Sequence, residues 1–283
     1  MLVERQGNSA LVTLRSWARS PPDRTIQVMH SPRLSALLLA LSLGCSGSAC
    51  SQPAPSLQAT APVVPRALAA DGVYGEVAPS ADGIGKTYQG RAISAVMGWQ
   101  GAAWLEREER EREERGSLLL RELRLQPGMR VADVGAGTGY YARRIAPLVG
   151  PQGKVYAVDV QPEMVAMLRE VAARPGLENI VPVQAGVDDP KLAAGSIDLA
   201  LMVDVYHELE YPHEVLARLV QALKPGGRMV FVEYRAEDDR VPIKRLHKMS
   251  EAQVRREAAL HALEWERTAD SLPWQHVVVF RKR

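Results

Sequence analysis

The chain predicts an α/β fold: a mostly parallel sheet with helices on both faces. Three observations predict it. From about residue 129 onward, strand-length apolar runs alternate with helical segments. Val131-Ala-Asp-Val-Gly-Ala-Gly-Thr-Gly139 is a short apolar strand ending in three glycines spaced two apart. Val155-Tyr-Ala-Val-Asp159 is a second apolar strand, and it ends in an acid. Without Cβ atoms, glycines let the backbone turn sharply and let a ligand approach the main chain. An acid closing the next strand is placed to accept both hydroxyls of a ribose. Together the two segments predict a nucleoside-binding crevice at the carboxyl edge of the sheet.

The elements follow in order. Residues 86–105 mix aromatics with glycines and suggest a segment covering a pocket, with Tyr88 and Trp104 as its roof or as ordinary core. Glu106 to Arg115 is almost entirely charged and reads as a helix ending near Leu125. Glu106–Arg110, Glu108–Arg112 and Glu111–Arg115 are expected as i,i+4 pairs on a solvated face, or with one arginine facing a substrate. Strands are expected at about 129–134, 154–159, 180–184, 197–203 and 228–233, and helices at about 138–148, 162–173 and 213–223. Pro162 suits a first helical position. Ser250-Glu-Ala-Gln253 has the form of a capping box opening another helix. Two closing strands, about 263–269 and 274–281, are joined by Asp-Ser-Leu-Pro and read as an antiparallel pair.

Ahead of this region lies a different composition. Residues 34–44 form an apolar run of signal-peptide length, too short to span a bilayer, with Arg33 before it and small residues after it. Met29 just ahead suggests a later translation start. Ala49 suits a signal-peptidase cut, and Cys45 or Cys50 suits a lipidated first residue, although Ser42 and Gly47 stand where a lipobox has Leu. A buried helix is the plain alternative. Residues 1–50 are thus read as an extension with a signal or lipoprotein peptide, 51–70 as a flexible linker and 71–283 as the globular domain. Export to the periplasm or a membrane anchor is expected, with a cytoplasmic chain as the alternative.

The 283 residues carry a net charge of +2 and lack a basic block with interleaved aromatics, so no nucleic-acid partner is expected. Both cysteines, Cys45 and Cys50, precede the globular region, which therefore has no disulfide or thiolate metal site. No metal ligand set is expected elsewhere.

The glycine spacing narrows the ligand. A dinucleotide fingerprint needs a third glycine at 140, where this chain has Tyr140, and a phosphate loop would end in Lys-Ser/Thr. The G-x-G-x-G run with Asp133 ahead of it resembles the first motif of class I S-adenosylmethionine-dependent methyltransferases. Lys224-Pro-Gly-Gly227 before an apolar strand is similar to the family's approach to its fifth strand. The pattern from Gly90-Arg-x-Ile93 through Tyr206-His-Glu208 to Trp274-Gln-His276 resembles bacterial members of the broad type 11 grouping. The resemblance covers most of residues 86–283. It implies a Rossmann-like methyltransferase fold: a seven-stranded, mostly parallel sheet with an antiparallel last strand.

The resemblance also implies a site. S-adenosyl-L-methionine would meet Asp133, Gly135, Ala136, Gly137, Thr138 and Gly139, with Asp159 on the ribose and Val160 beside it. Val187 and Asp188 are expected at the adenine, although the acid is displaced from the family's Gly-Asp-Ala pattern. Asp204 follows strand four beside the cofactor, and His207 and Glu208 are the catalytic candidates, lying where the family places residues between donor and acceptor. An unperturbed imidazole titrates near neutral pH and would serve as a base; a hydrogen-bonded structural His207 is the plain alternative. Arsenite-type enzymes, which need several thiols, are excluded. The implied partner is an unidentified methyl acceptor, a small molecule by preference. A non-catalytic sensor of the same cofactor and a nicotinamide-dependent oxidoreductase are the rival readings.

If the leader is real, the mature protein from its native host begins after Ala49, or at a lipidated Cys45 or Cys50. Intact-mass measurement reads this directly, and a mature chain that still carries residues 1–50 would overturn export.

Overall fold

The computed structural model describes residues 72–283; the expected leader, lipidation sites and linker lie outside them. The described chain opens with a three-stranded antiparallel sheet, β1 (Tyr74–Glu76), β2 (Gly83–Tyr88) and β3 (Arg91–Ser94). Short helices follow: α1 (Ala102–Leu105), α2 (Arg110–Glu114) and α3 (Gly116–Glu122). The main alternation is β4 (Arg130–Val134), α4 (Ala142–Val149), β5 (Lys154–Asp159), α5 (Pro162–Ala172), β6 (Ile180–Gln184), β7 (Ile197–Val203), α6 (Pro212–Ala222) and β8 (Leu223–Tyr234). It closes with α7 (Glu251–Ala258), β9 (Leu263–Ala269) and β10 (Gln275–Lys282).

The seven later strands form one sheet in the order β6-β5-β4-β7-β8-β10-β9. Strands β6, β5, β4, β7 and β8 are parallel, and β10 runs against both β8 and β9. This is the Rossmann-like methyltransferase arrangement expected from the sequence, with the last strand reversed. Strand order changes direction between β4 and β7, so the crevice opens beyond their carboxyl ends, where open α/β sheets bind ligands.

The period-two pleat explains why both faces are covered. Val131 of β4, Leu199 and Leu201 of β7, and Val230 and Val232 of β8 join Leu119, Ile145 and Leu168 in one core. Their neighbours Ala132, Ala200, Met202, Met229 and Phe231 point the other way, against Val215, Leu219 and Val254. Pro162 sits at the start of α5, and the Ser250 side chain caps α7 by accepting from the Gln253 N–H at 3.1 Å.

Three expectations need correction. The charged stretch is not one solvated helix: it is broken at Arg115, which adopts a left-handed φ of 52°. The expected i,i+4 pairs are replaced. Arg110 donates to Glu114 at 2.8 Å, Arg107 bridges Glu113 and Glu114, and Glu106 binds Arg143 and Thr138. Arg110 and Glu114 are buried, so part of this segment faces inward. The helix after the glycine loop begins at 142 rather than 138, because the loop's positive-φ glycines run through Gly139. Lys224-Pro-Gly-Gly227 belongs to the extended β8 instead of preceding it.

The small sheet is tied to the large domain through buried charge. Arg91 of β3 forms an ion pair with fully buried Glu257 of α7 at 2.8 Å, and Tyr88 is also fully buried with its hydroxyl 3.3 Å from His213 Nδ1. Asp133 of β4 is buried as well. Among the described residues its Oδ2 has no hydrogen-bond partner, while the nearby Ala142 N–H favours its charged form. Burial pushes its carboxyl up to about 7, with the charge of Asp159 acting in the same direction and the Ala142 N–H and Arg110 opposing.

The folded chain therefore holds the Asp133 proton up to about pH 7, whereas the unfolded chain sheds it near 3.8. Stability must fall as pH rises between those values. Denaturant titrations of the cofactor-free chain at pH 5 and pH 8 should show a loss larger in wild type than in Asp133→Asn, by roughly 2–3 kcal/mol. Equal losses would show that Asp133 is not the group.

Candidate active site

The glycine loop is bent by backbone conformations that side chains resist. Gly135 and Gly137 have φ of 70° and 54°. A Cβ on Gly135 would lie 2.3 Å from Val205 Cγ2, and one on Gly137 would lie 2.7 Å from Leu105 Cδ1. Parallel pairing sets β4 beside β5, with Val134 opposite Val158, so the loop and Asp159 emerge together. Asp159 Oδ2 accepts from the Gly137 N–H at 2.9 Å and Oδ1 from the Gln161 N–H at 2.9 Å. Burial raises the Asp159 carboxyl above its ordinary range, and these backbone donors oppose the rise.

A cavity of about 590 Å³ opens at this edge, within the usual size range of ligand pockets. Gly135, Gly137, Asp159, Val160, Val187, Asp204, His207 and Glu208, all read from the sequence, line it. The remaining expected residues do not. Asp133 is buried outside the lining, Ala136 packs in the core, and Thr138 donates to Glu106 at 2.6 Å. Gly139 turns toward Leu168 of α5, and Asp188 is not part of the lining, although its neighbours Gly186 and Val187 are. Tyr88 is core, whereas Trp104 lines the cavity.

The lining fits an adenosyl group. The glycines leave a cradle that a Cβ would fill, Asp159 offers a carboxylate beside it, and Val160 and Val187 are exposed apolar surfaces, at 38% and 52%. Gln161 reaches across to the cover: its Oε1 accepts from the Trp99 N–H at 2.8 Å and its Nε2 donates to the Met97 carbonyl at 3.0 Å.

The polar part of the cavity follows β7. Asp204 adopts a left-handed φ of 52°, a strained conformation for a side-chain-bearing residue. Its Oδ2 accepts from Gln275 Nε2 at 2.8 Å, and its buried Oδ1 has no partner among the described residues. Burial and then the charges of Glu114 and Glu233 push its carboxyl well above the ordinary range.

His207 is buried in the next turn, Tyr206–Glu208. Its carbonyl accepts from Arg91 Nη1 at 3.2 Å and Ser94 Oγ at 3.4 Å, which is the role of the Gly90-Arg91-x-Ile93 pattern. Its Nδ1 lies 2.5 Å from Glu233 Oε2, and Glu233 Oε1 accepts from the Tyr206 N–H at 2.9 Å. Its Nε2 faces His247 Nδ1 at 3.2 Å and Glu208 Oε1 at 3.7 Å. Burial alone would lower this imidazole, but the Glu233 charge and the bonds to Glu208 and Glu233 outweigh it and raise it to about 10. Glu208 is held down at about 2, because its bonds to His207 and His247 overcome the effect of burial. His207 is therefore charged at neutral pH in this cluster, and the neutral base expected from an unperturbed imidazole is not what the fold makes.

The sequence reading missed Gln161, Tyr234 and His247, which line the cavity, and it offered one arginine of the charged stretch without saying which; Arg110 lines the cavity too. Gln161 follows Asp159 by two residues and was within reach of the motif. His247 lies forty residues from His207 in a turn, and no spacing signals it.

A methyltransferase-domain family model matches residues 125–275, more than half of the chain. The protein-L-isoaspartate O-methyltransferase of Aeropyrum pernix is 36% identical over 115 residues, covering 40% of this chain and 41% of that protein. The ubiquinone/menaquinone biosynthesis C-methyltransferase of Ectopseudomonas mendocina is 29% identical over 111 residues, covering 39% and 43%. The chain thus spans less than half the length of these curated relatives. A solved S-adenosylmethionine-dependent methyltransferase from Aquifex aeolicus superposes with a TM-score of 0.63 at 26% identity, over 66% of this chain and 100% of that one. Relatives come from varied organisms, Arabidopsis thaliana among them, so they do not mark the chain as bacterial.

Replacing Asp159 by Ala should weaken S-adenosylmethionine binding by roughly 1.5–3 kcal/mol, because buried polar partners lose a charged acceptor. Calorimetry on the folded variant reads it, and an unchanged dissociation constant would remove Asp159 from the site. Taken together, the sheet order, the glycine loop paired with Asp159 and the match over residues 125–275 show that this chain belongs to the methyltransferase-domain family, with S-adenosyl-L-methionine as its cofactor.

Proposed function

We propose that the chain is an enzyme that moves a methyl group from S-adenosyl-L-methionine to a small-molecule acceptor, rather than a sensor of the cofactor. One observation carries this reading: a single cavity holds both the loop–acid pair and the His207–Glu208–His247 cluster. A module that only recognised the nucleoside would have no use for a buried polar cluster in the same space.

The small size of the acceptor is supported by the cover. Val96, Met97, Trp104 and Leu105 reach the cavity from the amino-terminal segment, and Pro242, Ile243 and Lys244 from the connection between β8 and α7. A folded protein surface would not enter a space walled from both directions. The curated relatives act on isoaspartyl protein and on quinone precursors according to their names, which leaves the acceptor class to the geometry.

When bound, the cofactor supplies an already reactive methyl sulfonium. The chain's residues then have to align and to exclude water. Asp159 and the glycine loop hold the nucleoside part, while Val160, Val187 and Trp104 shield it. His207, oriented through Nδ1 by Glu233, presents Nε2 to the cavity beside Glu208. As a charged pair these two hold the acceptor's polar atom by hydrogen bonds. Alignment, rather than proton removal by a free imidazole, is what this arrangement favours. Export of the chain remains part of the proposal, supported by the residues between Met29 and Cys50 alone.

Incubating the protein with labelled donor and fractions of a cell extract identifies the acceptor. With that acceptor, His207→Ala and Glu208→Gln should each lower turnover by about 10²-fold or more, the scale of a lost alignment, with cofactor affinity within a few-fold of wild type. Unchanged turnover in both variants would remove the pair from the acceptor site. Tight cofactor binding with no fraction ever methylated would favour the sensor.

A further inference from the structure

We infer that His207 Nε2, His247 Nδ1 and Glu208 Oε1 form a binding site for one divalent transition-metal ion on the wall of the cofactor cavity. The three atoms lie 3.2, 3.4 and 3.7 Å from one another. Ligand atoms around a tetrahedral ion with bonds of 2.0–2.1 Å are separated by about 3.3–3.4 Å. A circle through the three atoms has a radius of about 2.0 Å, so an ion slightly out of their plane reaches all three at normal bond lengths. The two rings stand at 81° to each other and converge without stacking.

A second observation points the same way. A divalent ion displaces the Nε2 proton that His207 carries in the metal-free chain, and metal-ligating histidines ordinarily give their other N–H to a carboxylate, which fixes the ring and strengthens the ligand. Glu233 does this for His207 at 2.5 Å, and Glu233 is itself fully buried and held by the Tyr206 N–H. The ligands sit on short turns, Tyr206–Glu208 and Arg245–His247, and the first of these is clamped from behind by Arg91 and Ser94. Two imidazoles and one carboxylate suit zinc or ferrous iron, whereas magnesium and calcium favour all-oxygen shells. Three protein ligands leave a position open, and all three residues line the cavity. An acceptor carrying an oxygen donor, such as a phenol or hydroxy acid, can complete the shell. That last point rests on the proposed methyl transfer; the metal site itself does not.

The test uses the full chain, freed of metal by a chelator and then titrated with Zn²⁺ alone by calorimetry. One equivalent should bind saturably. His247→Ala and Glu208→Gln should each weaken binding at least tenfold, and Glu233→Gln about 10–100-fold, as outer-shell carboxylates do. Circular dichroism checks that each variant is folded. His247→Ala lies in a partly exposed turn and keeps the test open if Glu233→Gln fails to fold. Absence of saturable Zn²⁺ binding, equal affinity in His247→Ala and Glu208→Gln, or preference for Mg²⁺ would overturn the site. Because no donor or acceptor is present, these outcomes are independent of whether methyl transfer is observed.

Discussion

The Asp159 carboxylate is the point on which the cofactor side of this structure depends. One oxygen accepts from the Gly137 N–H and the other from the Gln161 N–H. A buried carboxylate without such donors would be costly. The two bonds therefore do more than hold the acid: they bring the glycine loop after β4 against the end of β5. Gln161 extends the same network to the cover through Met97 and Trp99. Loop, Asp159 and cover are one hydrogen-bonded unit, organised by a single side chain at the end of one strand.

The opposite wall is built on a different principle. There, buried groups are held mainly by one another's side chains, with the Tyr206 N–H on Glu233 as a backbone contribution. Glu233 stands behind His207, Arg91 pairs with Glu257 and supports the His207 carbonyl, and Gln275 holds Asp204. Breaking one member of such a set leaves its partner buried and unpaired, which usually costs more than the contact itself stabilises. The patterns around Gly90, Tyr206 and Trp274 that looked unrelated along the chain are parts of this one wall. Each supplies a group that fixes either the turn at 206–208 or the strained Asp204.

Much of the sheet was legible because its strands are buried on both faces and read as continuous apolar runs. β5, β6 and β7 fall at the expected residues. The charged stretch from Glu106 to Arg115 misled for a physical reason. Its spacing suits a solvated helix, yet Glu106 binds the distant Arg143 and Thr138, and Glu114 is buried against Tyr234 as well as Arg107 and Arg110. Those tertiary bonds outweigh i,i+4 pairs contributing only about 0.2–0.5 kcal/mol each. Asp133, whose place before the glycines suggested a cofactor contact, is buried and outside the cavity lining.

The sequence by itself determined the fold class, the glycine loop and the acid that meets it. These depend on strand periodicity and on backbone freedom, which are local properties. Only the tertiary structure decided the charge on His207, the company it keeps and the assembly of His247 beside it. Those depend on which groups burial brings within a few ångströms. Residues forty positions apart become neighbours through the fold of the connection between β8 and α7, and no pattern along the chain encodes that distance.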